Sequence, residues 1–192
     1  MIDKKFWQNV FLQQTELDKS RWVIIAESAK AQHLSKQAIF ALQRDDLKEA
    51  NEKLAGAKAI LIELDKKFGK EARLRGEGSW KASIEEFTEA KLFLDFCENK
   101  ELSEIKDFRI EFDEYIGGLS DVCGEIVRKM ISLTTKNKVK EVRLANEAIN
   151  DIIHELMQIN FVGYLRTKFD QAKKHLQKAE SIIYDISIRE KI

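Results

Sequence analysis

The 192-residue chain is long enough for one sizeable domain with a real core. Its 33 basic and 33 acidic side chains cancel, which excludes binding of nucleic acid through bulk positive charge and leaves only local patches for such a role. There is no proline, and there are only eight glycines against 34% charged residues. Proline breaks helix interiors, so its absence permits long unbroken helices. Together with apolar residues every three to four positions, this composition reads as an all-α helical bundle, one domain over residues 1–192.

The pattern is helical from about Asp3 to Arg44, with Phe6, Val10, Leu17, Val23, Ile24, Leu34, Ile39, Phe40 and Leu42 at helical spacing. A helix of that length is about 60 Å long, more than one small domain can cover, so part of it is expected to meet a neighbouring subunit. Asp45-Asp46 offers a break with capping chemistry. A second helix then runs from about Leu47 to Phe68 and stops near Gly69. Residues 69–78, with Gly69, Gly76 and Gly78, read as a loop. A third helix covers about Ser79–Glu98 and is followed by a short polar segment near 99–111. Further helices are expected over about Phe112–Leu133, Val139–Ile159 and Tyr164–Ile188. Cys97 and Cys123 lie among apolar residues and read as buried free thiols. No apolar run approaches the ~20 residues of a membrane span. The N-terminus carries no signal-like apolar region, so a soluble, cytoplasmic protein is expected.

The third predicted helix carries the first chemical signal. Projected at about 100° per residue, Trp80, Ile84, Phe87, Ala90, Phe93, Leu94, Phe96 and Cys97 form an apolar arc. Glu86 and Glu89 fall inside that arc, three apart and on one face, whereas Glu85 falls outside it. Buried charge needs a cation or a hydrogen-bonding partner. The pair is compatible with a functional site, and equally with a solvated or lysine-bridged pair. On the next helix the core arc holds Phe112, Tyr115, Ile116, Leu119, Val122, Cys123, Ile126, Val127 and Met130, while Asp121 and Glu125 lie opposite it, one turn apart. Gly117, Gly118 and Gly124 interrupt that helix, each at a cost of about 1 kcal/mol against alanine. Such glycines point to close approach of another helix or a ligand. If the third helix is the neighbour, four carboxylates converge, a hard-oxygen set suited to Mg²⁺ or Mn²⁺.

The same segments carry a family resemblance. Glu114-Tyr115-Ile116-Gly117-Gly118-Leu119-Ser120-Asp121-Val122-Cys123-Gly124-Glu125-Ile126 resembles the Trax segment Asp-Tyr-Leu-x-Gly-Val-x-Asp-Leu-x-Gly-Glu-Leu. Glu85-Glu86-Phe87-Thr88-Glu89-Ala90 is similar to Gln-Glu-Tyr-Val-Glu-Ala of Trax, and Ser35 to Arg44 to its Ser-Lys-x-x-Ile-Phe-x-Leu-x-Arg. The tail Ile183-Tyr184-Asp185-Ile186-Ser187-Ile188-Arg189 is similar to Val-Tyr-Asp-Leu-Ser-Ile-Arg of translin. These matches run in order from about residue 17 to 189. The resemblance to the translin/Trax family implies an all-α fold of six to seven helices with a long N-terminal helix. It also implies a closed octameric assembly that binds single-stranded RNA or DNA, and with the acidic set on this one chain a homo-oligomer is expected. In that family Trax supplies an Mg²⁺-dependent endoribonuclease site, and its carboxylates correspond to Glu86, Glu89, Asp121 and Glu125, as catalytic residues and metal ligands. The alternative is a non-catalytic, translin-like single-strand binder. One departure is Glu190 where the family often has glycine; another is the loose form of the basic stretch Arg73 to Lys81.

For nucleic-acid contact the basic residues are Arg73, Arg75 and Lys81 around the glycine loop, and Lys36 and Arg44 two turns apart on the first helix. Trp80 beside them could stack on a base, but it also fits the core arc. Lys36 and Arg44 also fit surface ion pairs with Asp45, Asp46 or Glu49. His33, His154 and His175 are scattered, and the chain has no Glu-x-x-His motif, which argues against a di-iron bundle.

Overall fold

The computed structural model describes residues 1–190, which form seven helices: α1 (Lys4–Gln43), α2 (Leu47–Phe68), α3 (Ala72–Arg75), α4 (Gly78–Cys97), α5 (Phe112–Thr135), α6 (Val139–Met157) and α7 (Gly163–Arg189). The breaks fall where local chemistry requires them. Asp3 caps α1 by accepting from the Lys5 and Phe6 N–H groups. Asp45 takes a left-handed φ of 66°, and Asp46 then caps α2 by accepting from the Glu49 N–H at 2.9 Å. Asn137, at φ 61°, turns the chain between α5 and α6. The segment read as a continuous loop contains a one-turn helix, α3, which Glu71 caps. It is set by Leu74 and Arg75, which are buried; a single turn this short leaves no periodic signal.

Contacts between α4 and α5 keep a fixed register. Lys81 meets Asp113, Glu85 lies on Gly117, Glu89 feels Asp121 and Cys97 feels Lys129. Sequence number rises along both helices together, so they run parallel. A parallel pair needs a crossover, and this is the task of residues 98–111. That segment has no helix, yet it is pinned by buried Ile105 and by Phe108, whose ring lies 5.4 Å from that of Phe87. The same reasoning orients the other helices. Along α1, Arg21, Gln32 and Gln43 meet Glu77, Glu86 and Glu125 in turn. Along α7, Tyr164 and Lys168 reach Glu85 and Asp121, and His175 reaches Gly124. So α1, α4, α5 and α7 all point one way, while α2 and α6, joined to α1 and α5 by short turns, run back.

One apolar cluster fills the space between the helices, with Trp80, Phe87, Phe93, Leu92, Ile126, Met130 and Leu156 buried at its centre. Residues 1–14 are exposed throughout, so the first turns of α1 project from the body. They carry Phe6, Trp7, Val10, Phe11 and Leu12 into solvent. No helix among the described residues is long and apolar enough to cross a membrane. Cys97 and Cys123 are free thiols, half-buried and buried respectively, and burial pushes them up to about 11 and about 12.

Candidate functional site

The close approach expected from the glycines occurs at Gly118. A Cβ there would lie 2.8 Å from the Glu85 carbonyl oxygen and 2.9 Å from the Glu89 nitrogen, both backbone atoms of α4. The α4 main chain therefore rests directly on α5, and the acidic residues of the two helices face one seam. Glu89 is central to it. Its carboxyl is half-buried and makes no hydrogen bond or ion pair among the described residues. Burial first, and then the charges of Asp121, Glu86 and Glu125, push it up to about 9. Glu86 and Asp121 are also raised, chiefly by burial.

The other three acids have polar partners. Glu86 accepts from Gln32 Nε2 at 3.5 Å and lies 3.6 Å from Lys36 Nζ. Glu125 accepts from Gln43 Nε2 at 2.7 Å and has Arg128 at 3.5 Å. Asp121 is bonded by Lys168 Nζ, which also lies 2.7 Å from Glu85. Burial alone would lower the Lys168 ammonium, but its bonds to Asp121 and Glu85 outweigh this and raise it. Tyr164 donates to the same Glu85 oxygen at 2.6 Å. His175 sits against Gly124 and is lowered, first by burial and then by Lys178.

The basic residues expected to hold nucleic acid are dispersed. Arg75 is not available to a phosphate: it is buried, and its guanidinium grips Glu114 through two bonds of 2.6 and 2.7 Å. It also lies 5.1 Å from the Trp80 ring, which is itself fully buried and cannot stack on a base. Burying a charge demands such a partner, and the sequence did not reveal that the acid at 114 would be it. Arg73 is exposed, and Lys81 is part-exposed beside Asp113 at 3.1 Å. Arg44 pairs with Glu49 at 2.7 Å, as the surface-bridge reading allows. Lys36 instead leans into the acidic cluster through Glu86.

A family model described as "Translin family" matches residues 19–190. This chain belongs to the Translin family. Translin from Bos taurus and translin from Homo sapiens are each 23% identical to it over 156 residues, 73% of this chain and 68% of theirs. Among solved structures, apo-NeC3PO superposes with a TM-score of 0.85 at 19% identity, covering 96% of this chain and 97% of that one. AfC3PO in complex with duplex RNA superposes with a TM-score of 0.85 at 17% identity, covering 95% and 97%. These neighbours share the all-α translin fold.

Within this Translin-family fold, the donor set suits a hard divalent cation. Five carboxylates, Glu85, Glu86, Glu89, Asp121 and Glu125, face three cations, Lys36, Arg128 and Lys168, and Glu89 is ion-paired to none of them, the charge of Lys168 offsetting its burial only in part. As they stand, no three His, Cys, Asp or Glu side chains among the described residues are gathered tightly enough to hold one ion. The reason is visible in the partners: Asp121 is turned to Lys168, Glu86 to Lys36 and Glu125 to Gln43. Sequence reasoning missed Gln32, Gln43, Glu85, Tyr164, Lys168 and His175. Gln32, Lys36 and Gln43 on α1, and Tyr164, Lys168 and His175 on α7, share the spacing i, i+4, i+11, one helix face in each case. That polar spacing is present in the sequence, but only the fold turns both faces to one seam.

Proposed function

We propose that this protein is an RNA-binding, metal-dependent endoribonuclease that works as a homo-oligomer on single-stranded RNA. The observation that carries the reading is Glu89: a half-buried carboxyl with no ion pair of its own, beside three other carboxylates. An uncompensated acid at a helix crossing is costly unless a cation belongs there. Glu86, Glu89, Asp121 and Glu125 would hold Mg²⁺ or Mn²⁺, which when bound supplies an activated water and charge stabilisation at the phosphate. Around this set, Gln32 and Gln43 orient Glu86 and Glu125 by hydrogen bonds. Lys36 and Arg128 are about half-exposed beside the acids, and offer cations to RNA phosphates. Exposed Arg73 on α3 and part-exposed Lys81 on α4 offer further, separate cations for phosphate. The duplex RNA held by AfC3PO, which has this fold, supports RNA as the polymer class. The apolar residues of the projecting α1 support self-association, and an octamer is the expected form.

One observation favours a second reading, a non-catalytic RNA-binding assembly. The carboxylates are already tied to lysine and glutamine, and no three are gathered for an ion. Labelled single-stranded RNA, duplex RNA and single-stranded DNA incubated with Mg²⁺, Mn²⁺ or EDTA separate the two. Cleavage of single-stranded RNA that requires metal and disappears in E89Q and E125A supports the nuclease. Cleavage that persists in EDTA or in the variants refutes the site. Retention of RNA without cleavage under either metal establishes the binder.

A further inference from the structure

We propose that Lys168 is a tethered competitor for the divalent ion: it occupies Asp121 in the metal-free protein and must leave it for the ion to bind. The inference rests on the reading of the acidic cluster as a metal site. Its basis is the way Lys168 is seated. Its ammonium bonds Asp121 from α5 and Glu85 from α4, the latter at 2.7 Å, so one α7 side chain joins three helices. Only 15% of the side chain is exposed. The Tyr164 ring lies 5.4 Å from its nitrogen, and the Tyr164 hydroxyl donates to Glu85 at 2.6 Å, fixing the carboxylate that anchors the lysine. Glu85 in turn can lie there only because position 117 is glycine, since a Cβ would stand 2.2 Å from its Oε2.

The other cations are held differently. Lys36 is 54% exposed and 3.6 Å from Glu86, and Arg128 is 49% exposed and 3.5 Å from Glu125. Either can swing into water at little cost. Lys168 cannot leave Asp121 so freely, and while it stays, that carboxylate oxygen is taken and a second positive charge is repelled. Glu85 gives the displaced ammonium somewhere to remain. It lies just outside the predicted ligand set and retains the lysine beside it. The two functions thus fall on neighbouring acids of α4: Glu86 and Glu89 toward the ion, Glu85 toward the lysine.

The test is a Mn²⁺ titration of the intact chain, with free Mn²⁺ read by electron paramagnetic resonance. It compares wild type with K168M, K168R, K36M and D121N, each checked for folding by circular dichroism. K168M should bind Mn²⁺ more tightly by on the order of tenfold, the size of an ordinary coupling between two ligands. K168R, which keeps the cation, should stay near wild type, and K36M should gain distinctly less than K168M. D121N should bind weakly or not at all. Binding by K168M where wild type shows none also supports the proposal. Unchanged or weaker binding by K168M, with D121N still defective, overturns the competitor role while leaving the metal site standing. An equal gain in K36M likewise reduces Lys168 to a generic charge and overturns it. If D121N binds like wild type, or no variant binds, the metal-site reading itself falls and the proposal with it. Should K168M fail to fold, K168Q carries the same expectations.

Discussion

Glu89→Gln tests whether the seam is held short of positive charge. Glutamine keeps the shape and removes the ionisation. In the folded protein Glu89 is raised to about 9 from its ordinary 4.5, by burial and by three neighbouring carboxylates. The unfolded chain therefore releases this proton near pH 4.5, while the folded chain keeps it to about 9. Across that window the folded state binds more protons, so stability falls as pH rises. Each pH unit costs at most about 1.4 kcal/mol, or about 4 kcal/mol by pH 7.5. Partial solvent contact and sharing of protons among the acids reduce this to about 1–2 kcal/mol. In a domain of this size each kcal/mol moves the melting temperature by about 2–4 °C. With EDTA at pH 7.5, E89Q should therefore melt about 2–8 °C above wild type, and the difference should nearly vanish at pH 5. Mn²⁺ should raise the wild-type melting temperature and raise that of E89Q less. Equal melting temperatures for the two proteins across pH 5–8.5 would refute the electrostatic reasoning, because a carboxyl relaxed into water carries no such penalty.

Three further outcomes are expected. Gly118→Ala puts a methyl 2.8 Å from α4 backbone, which cannot give way. The protein should lose about 1–2 kcal/mol in urea denaturation despite the better helix propensity of alanine; Gly117→Ala meets the Glu85 side chain rather than backbone and should cost less, by displacing Glu85 from Tyr164 and Lys168. Arg75→Met strands buried Glu114 and should cost about 3–5 kcal/mol, whereas Arg73→Ala should leave stability within ~0.5 kcal/mol and flatten the salt dependence of RNA binding. Equal loss of RNA binding in a folded Arg75 variant would reverse that assignment. Replacing Phe6, Trp7 and Phe11 together with serine should reduce the assembled mass seen by light scattering without lowering the helix content, since none of the three is buried in the protomer. An unchanged mass would remove the α1 overhang from the assembly.

The sequence shows the helices because their signals are local, and it hides the site because that signal is not. Asp46 and Asp3 cap within three residues, and the apolar arcs of α4 and α5 follow from spacing alone. Glu86 and Glu89 are legible as misplaced charge on the α4 arc, and Gly118 as a contact in need of a neighbour. The partner of each residue depends on direction. Lys81 can meet Asp113 while Glu89 meets Asp121 only if α4 and α5 run parallel, and that is decided by the crossover at 98–111, which reads as an unremarkable polar stretch. Arg75 shows the same difficulty: beside a glycine loop it reads as a phosphate ligand, yet the parallel start of α5 brings Glu114 to it and buries both. Lys168 has no distinguishing pattern, being one of several lysines on α7, until its face is turned to the seam. The parallel crossing places two helices' worth of carboxylate together, and apart from Arg128 of α5 the residues that answer that charge come from α1 and α7, at opposite ends of the chain. The metal question is therefore a question about α7: whether the cation at Asp121 is the one the chain brings with it or one taken from solution.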